Sequence, residues 1–387
     1  MKILHIFANY KWTGPADAAL SLARALGEKH NVKLMCGSAP RGQQNQVKEK
    51  AHEFGVPVIV NNTLRKHLEP LTAFHAMRFT AHILRHDKAD IIHTHLVNDH
   101  LITAAALWFT QSKLPLVRSY YEDSRTGLDR AKNKILMRCC TNAAVVFSIG
   151  AAEELRKMGM KDRRIHVIDP AVDVHRFDPD RNLPDMRAKF SFGADDFVIG
   201  IVARVQRHRE FDIVLEATRR VRHIVPNLRV LVVGRGTHIN EVLIEPARAI
   251  GLSDIVKSVG YIDGDSYIGA LKAMSAKLFM VPGSDGTCRA VREAMAMGKP
   301  VIATRRGILP EMVNDGVEGI IIDPDPKSLA NAMIRLASSP ELMKTLGENA
   351  LRKAHERYSL RRQAENTENL YEEILRASSP KSSHHVK

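Results

Sequence analysis

The sequence predicts an α/β protein built from two Rossmann-like domains that face each other across an inter-domain cleft. Three observations carry that expectation. The chain has 387 residues, too many for one hydrophobic core, so two domains are the default. Short apolar runs alternate with helical ones throughout. The alternation stops at one irregular, proline-bearing stretch and then starts again.

The first series reads "KILHIFA", the amphipathic Asp17–Leu26, then "NVKLMC", "VPVIV", "ADIIHTH", "LPLVRSY" and "AAVVFSI". The second reads "DFVIGIVAR", the helical Ile213–Ile224, then "LRVLVVG", "IVKSVGYI", "AKLFMVPG", "KPVIAT" and "EGIIID". Short apolar strands separated by helices form parallel sheets covered on both faces. Two such series are two doubly wound domains. Between them, "VIDPAVDVHRFDPDRNLPDMRAKF" carries three prolines and no sustained apolar period, and reads as a linker. The expected domains are residues 1–180 and 181–365. Residues 366–387 are expected to form a polar helix with too small an apolar face to stand alone, packing back across the molecule. The final "SSPKSSHHVK" is expected to be disordered.

Composition narrows the function. A hydrophobic content of 44% suffices for cores of normal size. A net charge of +14 points to an anionic partner: nucleic acid, a phospholipid surface or a phosphorylated substrate. With 5% aromatic residues and no stacking motif among the basic ones, nucleic acid is not expected. Cys36, Cys139, Cys140 and Cys288 show no framework spacing, which fits a reducing compartment. "MKILHIFANYKW" lacks the features of a signal peptide, and the apolar run Leu101–Thr110 is too short to cross a bilayer. The expectation is a cytoplasmic protein, with room for a peripheral place on the inner face of the cytoplasmic membrane. "LTAFHAMRFTAHILRH" and "RAKNKILMRCC" set apolar stripes beside basic residues. They read either as core-facing helices or as a surface for anionic lipid.

Doubly wound sheets bind ligands at the carboxyl ends of their strands. The stretch Val281–Ala303, "VPGSDGTCRAVREAMAMGKPVIA", passes there from strand to turn to helix, the helix being expected over Ala290–Met297. Its first turn is expected near Gly286–Arg289, with unpaired N–H groups that favour a phosphate. Gly286 lets a ligand approach the backbone closely. Asp285 and Glu293 stand eight residues apart and offer carboxylates for sugar hydroxyls. A phosphate held between two hydroxyl-rich groups describes a nucleotide sugar. On local pattern alone a second reading stays open, in which Asp285 caps the helix and Glu293 is a surface charge. "IGIVARVQRHREFD" adds Arg204, Arg207, His208 and Arg209 at another strand end. Guanidinium forks match phosphate oxygens in pairs, although a solvated basic loop would look the same in sequence.

Metal chemistry is not expected. "IDGDS" offers Asp263 and Asp265, but Asp265 reads as the cap of a helix Ser266–Met274. In "HTH" the two histidines are read as pointing to opposite faces of the strand, His93 buried and His95 toward the cleft. "GRG" at Gly234–Gly236 reads as a tight turn near the nucleotide.

"SDGTCRAVREAMAMGKPVIAT" followed by "GILPEMV" resembles the retaining family 4 glycosyltransferases of GT-B fold. "GPADAALSLARAL", "ADIIHTH", "HVIDPAVDVHRFDP", "RVLVVGRG" and "VGYI" fall in that family's order, so the resemblance covers most of the chain. It implies roles. Asp285 stands for the first acidic residue of the motif, and Glu293 for the second, which holds ribose hydroxyls. Arg204 and Arg209 match the cations that grip the donor diphosphate. Gly286, Thr287 and Cys288 match the helix start facing the donor, Gly14 the loop glycine near its phosphate, and His95 the histidine near the reacting centre. The backbone near Tyr261 matches the nucleobase segment. There are departures: Asp285 replaces glutamate, Gly286-Thr287-Cys288 replaces Gly-Phe-Gly, Arg209-Glu210 replaces Lys-Gly, and Thr13-Gly14 replaces Gly-Gly.

The implied activity is retaining, metal-independent and cofactor-free transfer from a nucleotide sugar to a glycan or glycolipid acceptor. A nucleotide-sugar epimerase or phosphorylase on the same fold, or a non-catalytic binding paralogue, are the competing expectations.

Overall fold

A computed structural model describes residues 1–67, 69–121, 127–282 and 287–378. Asp285, Gly286 and all of "SSPKSSHHVK" beyond Ser378 lie outside the described residues. The chain divides into two units. One runs Met1–Ala171 and takes the chain again from Leu360 onward; the other is Val172–Ser359. The breaks thus fall at 171/172 and 359/360, against 180/181 and 365/366 from the sequence.

In the first unit the strands are β1 (Lys2–Phe7), β2 (Asn31–Gly37), β3 (Val58–Asn61), β4 (Ile91–Thr94), β5 (Leu116–Tyr120), β6 (Ala143–Val146) and β7 (Ile165–Val167). They form one sheet in the order β3-β2-β1-β4-β5-β6-β7, with parallel pairing throughout. β1 and β4 pair in register, His5 opposite His93. One face is covered by a cluster that includes Leu20, Ala23, Leu34 and Val145, the other by Leu4, Ile6, Ile92, Ala106 and Leu107. A sheet buried on both faces is why these strands read as nearly unbroken apolar runs.

The second unit holds β8 (Phe197–Val202), β9 (Leu228–Val233), β10 (Val256–Ser258), β11 (Ala276–Phe279), β12 (Val301–Thr304) and β13 (Gly319–Ile322). Their order is β10-β9-β8-β11-β12-β13, again parallel. Both sheets are therefore doubly wound about a point where the order reverses: between β1 and β4 in the first, between β8 and β11 in the second. Ligands bind such sheets outside the carboxyl ends of the strands at that point.

One segment differs from expectation. The irregular stretch is not a free linker. Val172, Val174, Phe177, Met186 and Phe190 are buried in the second unit's core, and Val172 N–H donates to the Tyr358 carbonyl at 2.7 Å. Its apolar residues have no period because most of the segment has no regular element to impose one. The last helix, Leu360–Ser378, buries Ala364, Leu370 and Tyr371 with Ala16, Ala19 and Leu20 of the helix Gly14–Gly27. The polar run "YSLRRQAENTENLYEEILR" read as a helix is one, and it packs on the first unit.

Candidate active site

In the second unit the reversal point brings together the ends of β8 and β11. After Val202 the chain turns through Arg204 and Val205 into a short 3-10 turn, Arg207–Arg209. The β8 end is held against the β9 end by close backbone approach. Ala203 N–H donates to the Val233 carbonyl at 3.1 Å, and Val205 N–H to that of Arg235 at 3.2 Å. A side chain at Gly234 would place its Cβ 1.9 Å from the Ala203 carbonyl oxygen, and one at Gly236 1.7 Å from that of Val205. Glycine is required at both places, and the tight turn read from "GRG" thus packs beside Arg204.

Arg209 crosses the reversal point. Its Nη1 donates to the carbonyls of Val281, at 2.6 Å, and Pro282, at 3.2 Å, which follow β11. Arg209 also lines a small pocket with Ala203, Phe211 and Met280. Arg204 is exposed at the same strand end. Arg207 faces outward in an ion pair with Glu241, 2.7 Å apart, and carries no part of this cluster. Glu210, where the family has glycine, keeps the left-handed conformation glycine favours, at φ 58°, and its carboxylate pairs with Arg306 at 2.7 Å.

The helix after β11 runs Arg289–Ala296. The first turn expected near Gly286–Arg289 therefore starts later. Cys288 stands before it at φ 47° and ψ 44°, a left-handed conformation that cannot continue a right-handed helix. Like Glu210, Cys288 is a departure from glycine that carries a left-handed backbone. Thr287 and Cys288 are both buried, and Arg292 folds back from the helix to donate from Nη1 to the Thr287 carbonyl.

Glu293 is not a surface charge; it is 4% exposed. Tyr267 Oη donates to its Oε2 at 2.5 Å, and Arg289 Nε lies 3.3 Å from Oε1. Tyr267 comes from the helix Gly264–Ala273 and packs edge-on against Phe177, ring centroids 6.2 Å apart. Burial, and then the charge of Glu293, push the Tyr267 phenol well above its usual value, so it stays a donor. Lys277 on β11 is fully buried, its Nζ without a hydrogen-bond partner among the described residues, 5.7 Å from the Phe279 ring centre. Burial pushes its amine down to about 7, while the Glu293 carboxylate acts in the opposite sense. Tyr261, 63% exposed beyond β10, carries the Arg235 guanidinium 5.2 Å over its ring. Asp265 is not a cap. The helix begins at Gly264, and Asp265 in its first turn pairs with Arg181 at 3.1 Å.

In the first unit, Gly14 opens the helix after β1, and His95 directly follows β4. His93 and His95 do not point to opposite faces. Two residues apart on an extended chain, they share a face, and both are buried. The rings of His93 and His95 stack at 4.6 Å, those of His5 and His95 at 5.2 Å. His5 Nδ1 lies 2.9 Å from His95 Nε2, and burial pushes all three imidazoles down, His5 to about 3, so each is neutral at pH 7. Candidate ligand atoms of the three lie within 4.8 Å of one another. Nearly parallel rings aim their in-plane lone pairs side by side rather than at one centre. Both His93 nitrogens are also engaged already, with Tyr371 Oη at 2.5 Å and Ser119 Oγ at 2.9 Å. Hydrogen bonds tie His5 to His95, and His93 to Tyr371 and Ser119, while His5 Nε2 and His95 Nδ1 have no hydrogen-bond partner among the described residues. Asp99 joins the two strand ends, its carboxylate accepting from Ala8 N–H at 3.0 Å and Leu96 N–H at 2.8 Å.

Sequence reasoning missed Tyr267, Arg289, Arg292, Lys277, His5 and Asp99. A charged lysine inside an otherwise apolar strand was the one legible signal.

Comparison with known proteins decides the family. Residues 183–353 match the family model described as "Glycosyl transferases group 1", and residues 12–176 match "Glycosyltransferase Family 4". The chain belongs to the family 4 glycosyltransferases. Among relatives, a D-inositol 3-phosphate glycosyltransferase of Thermobifida fusca is 31% identical over 207 residues, 51% of this chain and 47% of that protein. An MMP alpha-(1->4)-mannosyltransferase of Mycolicibacterium hassiacum is 29% identical over 73% of this chain and 64% of its own. The chain spans about half the length of the first curated relatives it matches. The fold is that of Anabaena Alr3699/HepE, solved in complex with UDP: TM-score 0.81, 18% identity, 96% of this chain and 100% of that one. Two Rossmann-like units in that arrangement of sheets are the GT-B fold.

Proposed function

We propose that this member of the family is a retaining glycosyltransferase. It moves a sugar from a nucleotide-sugar donor to a hydroxyl of a glycan, lipid-linked or lipopolysaccharide-type acceptor, without a metal ion. The observation that carries the reading is Arg209 spanning the ends of β8 and β11, in the same unit as the buried Glu293 carboxylate. A cation at the reversal point of a doubly wound sheet suits a diphosphate, and a fixed carboxylate suits sugar hydroxyls. UDP in the Anabaena structure supports the class of donor.

In this mechanism the second unit holds the donor and the first recognises the acceptor. The bond from the anomeric carbon to the diphosphate oxygen breaks as the acceptor oxygen bonds to the same face of that carbon, and the acceptor's hydroxyl proton passes to the departing diphosphate oxygen. The barrier is mainly the charge that grows on the leaving diphosphate. Arg209, anchored on the Val281 and Pro282 carbonyls, and Arg204 beside it neutralise that charge, and removing one preorganised donor typically costs about 100- to 1000-fold in rate. His95, neutral and tied to His5, is assigned to the acceptor side near the reacting centre.

No helix among the described residues is long and apolar enough to cross a membrane. The chain is proposed to reach a lipid-linked acceptor by docking on anionic lipid. The helices Pro70–His86 and Val97–Thr110 expose Leu71, Phe74, Trp108 and Phe109, Trp108 being 83% exposed. Arg78 lies 5.9 Å from the Phe74 ring centre and Arg85 5.8 Å from that of Phe109. Apolar rings with cations over them suit the boundary of a negatively charged bilayer.

The test is a panel of nucleotide sugars with and without candidate acceptors. The account expects acceptor-dependent release of nucleoside diphosphate with the anomeric configuration kept. Acceptor-independent release of an epimer, or a requirement for inorganic phosphate, would contradict it.

A further inference from the structure

Glu293 is held before any ligand arrives. A carboxylate offers about four lone-pair sites, two on each oxygen. Tyr267 occupies one on Oε2 by a hydrogen bond, and Arg289 Nε stands beside Oε1 in an ion pair 3.3 Å long, which claims at most one more. Among the described residues this leaves one site on each oxygen, side by side on one planar group. Two acceptors so placed match two adjacent hydroxyls.

Tyr267 is itself fixed. Its helix supplies the backbone, Phe177 packs edge-on against the ring, and the phenol stays protonated beside the carboxylate. Arg289 is half-exposed and sits on the same helix as Glu293, four residues earlier. The tyrosine comes from a different helix, so its hydrogen bond sets the carboxylate's orientation relative to the rest of the unit.

We propose that Tyr267 is a positioning residue for ribose recognition: it turns Glu293 so that the two unoccupied lone pairs accept the 2′- and 3′-hydroxyls of the donor nucleotide. The inference rests on the reading that Glu293 meets the ribose. It adds that discrimination for a ribose diol is set by a residue that never touches it.

The experiment measures dissociation constants of UDP, ADP and GDP, each beside its 2′,3′-dideoxy counterpart, by calorimetry on the full chain. Wild type, Tyr267→Phe, Glu293→Gln and the double variant are compared. Phenylalanine keeps the ring against Phe177, and a melting temperature within a few degrees of wild type checks the fold. For the tightest-binding base, wild type is expected to prefer the ribose form by roughly tenfold or more, since a site built for hydroxyls rejects the analogue lacking them. Tyr267→Phe should lose most of that preference by weakening the ribose form alone, and adding Glu293→Gln should cost little more. A purely structural role would weaken both forms equally. If Glu293→Gln loses the preference while Tyr267→Phe keeps it, or if the two losses multiply, the inference on Tyr267 is overturned and the ribose reading stands. If wild type binds both forms equally, both fall.

Discussion

Tyr371 Oη lies 2.5 Å from His93 Nδ1 in the core of the first unit, joining residues 278 positions apart. The tyrosine belongs to the last helix and the histidine to β4. Ser119 Oγ, 2.9 Å away, takes the other ring nitrogen, so the buried imidazole is satisfied on both sides. A helix with a narrow apolar stripe is thereby pinned to the sheet by a polar contact as well as by packing.

Tyr371→Phe should cost about 1–3 kcal/mol of stability, because it leaves a ring nitrogen unpaired in a dry interior. Urea unfolding followed by circular dichroism measures it. An unchanged midpoint would show that the contact does not hold the helix. Ending the chain at Ser359 should be far worse, since it uncovers Ala16, Ala19 and Leu20, and should yield insoluble protein.

The first unit is expected to lose stability in acid. Burial pushes His5, His93, His95 and His100 below their ordinary value, His5 to about 3. As pH falls through about 6.5 the unfolded chain takes up protons on these rings and the folded chain does not, so unfolding is favoured. Asp99 acts oppositely. Burial raises its carboxyl to about 7, so the folded state takes up that proton first as pH falls. Four rings against one carboxyl leave a net loss. Melting temperature should drop by several degrees between pH 7 and pH 5, and a flat profile would contradict the assignment of neutral rings.

Lys277→Met should separate stability from binding. The buried amine has no hydrogen-bond partner among the described residues, and its folded value of about 7 lies below that of the unfolded chain, near 10.4. The folded state therefore binds fewer protons between those values, and the penalty is larger at pH 7 than at pH 10. Methionine should stabilise the protein by about 1–3 kcal/mol at pH 7, with the gain shrinking as pH rises. Nucleotide affinity should fall, since Glu293 loses a favourable charge. Loss of stability in the methionine variant would count against this account of Lys277.

Membrane docking is tested by flotation with vesicles of phosphatidylglycerol and of phosphatidylcholine at low salt. Binding to the first only is expected, and the variant carrying Leu71→Ser, Phe74→Ser and Trp108→Ser should lose at least tenfold of it. Absence of wild-type binding to anionic vesicles would remove the idea.

Strands β1–β6 and β8–β13 and their grouping into two sheets were legible because a strand buried on both faces writes an unbroken apolar run, as in "LRVLVVG"; the short, half-buried edge strand β7 was not read. Arg209 was singled out because it stands in a cationic cluster at a strand end, and the structure sets its guanidinium across the ends of β8 and β11. What stayed hidden depended on contacts across the chain. Nothing near His93 announces Tyr371, and nothing near Glu293 announces Tyr267. Glu210 and Cys288, two departures from glycine, both adopt a left-handed backbone, which nothing in the sequence indicated. Only coordinates separate a residue's type from the φ it adopts. The misjudged histidines have a simpler cause: spacing of two on a strand keeps side chains together.

The central claim is that Arg209 holds the donor's diphosphate at the reversal point of the second sheet. The direct measurement compares wild type and Arg209→Ala for affinity toward UDP and uridine, or the pair of whichever base binds best, alongside turnover. The account predicts that the variant keeps its fold, binds the nucleoside as before, loses at least tenfold affinity for the diphosphate and turns over about 100- to 1000-fold more slowly. A variant that binds the diphosphate and transfers sugar as well as wild type would contradict it.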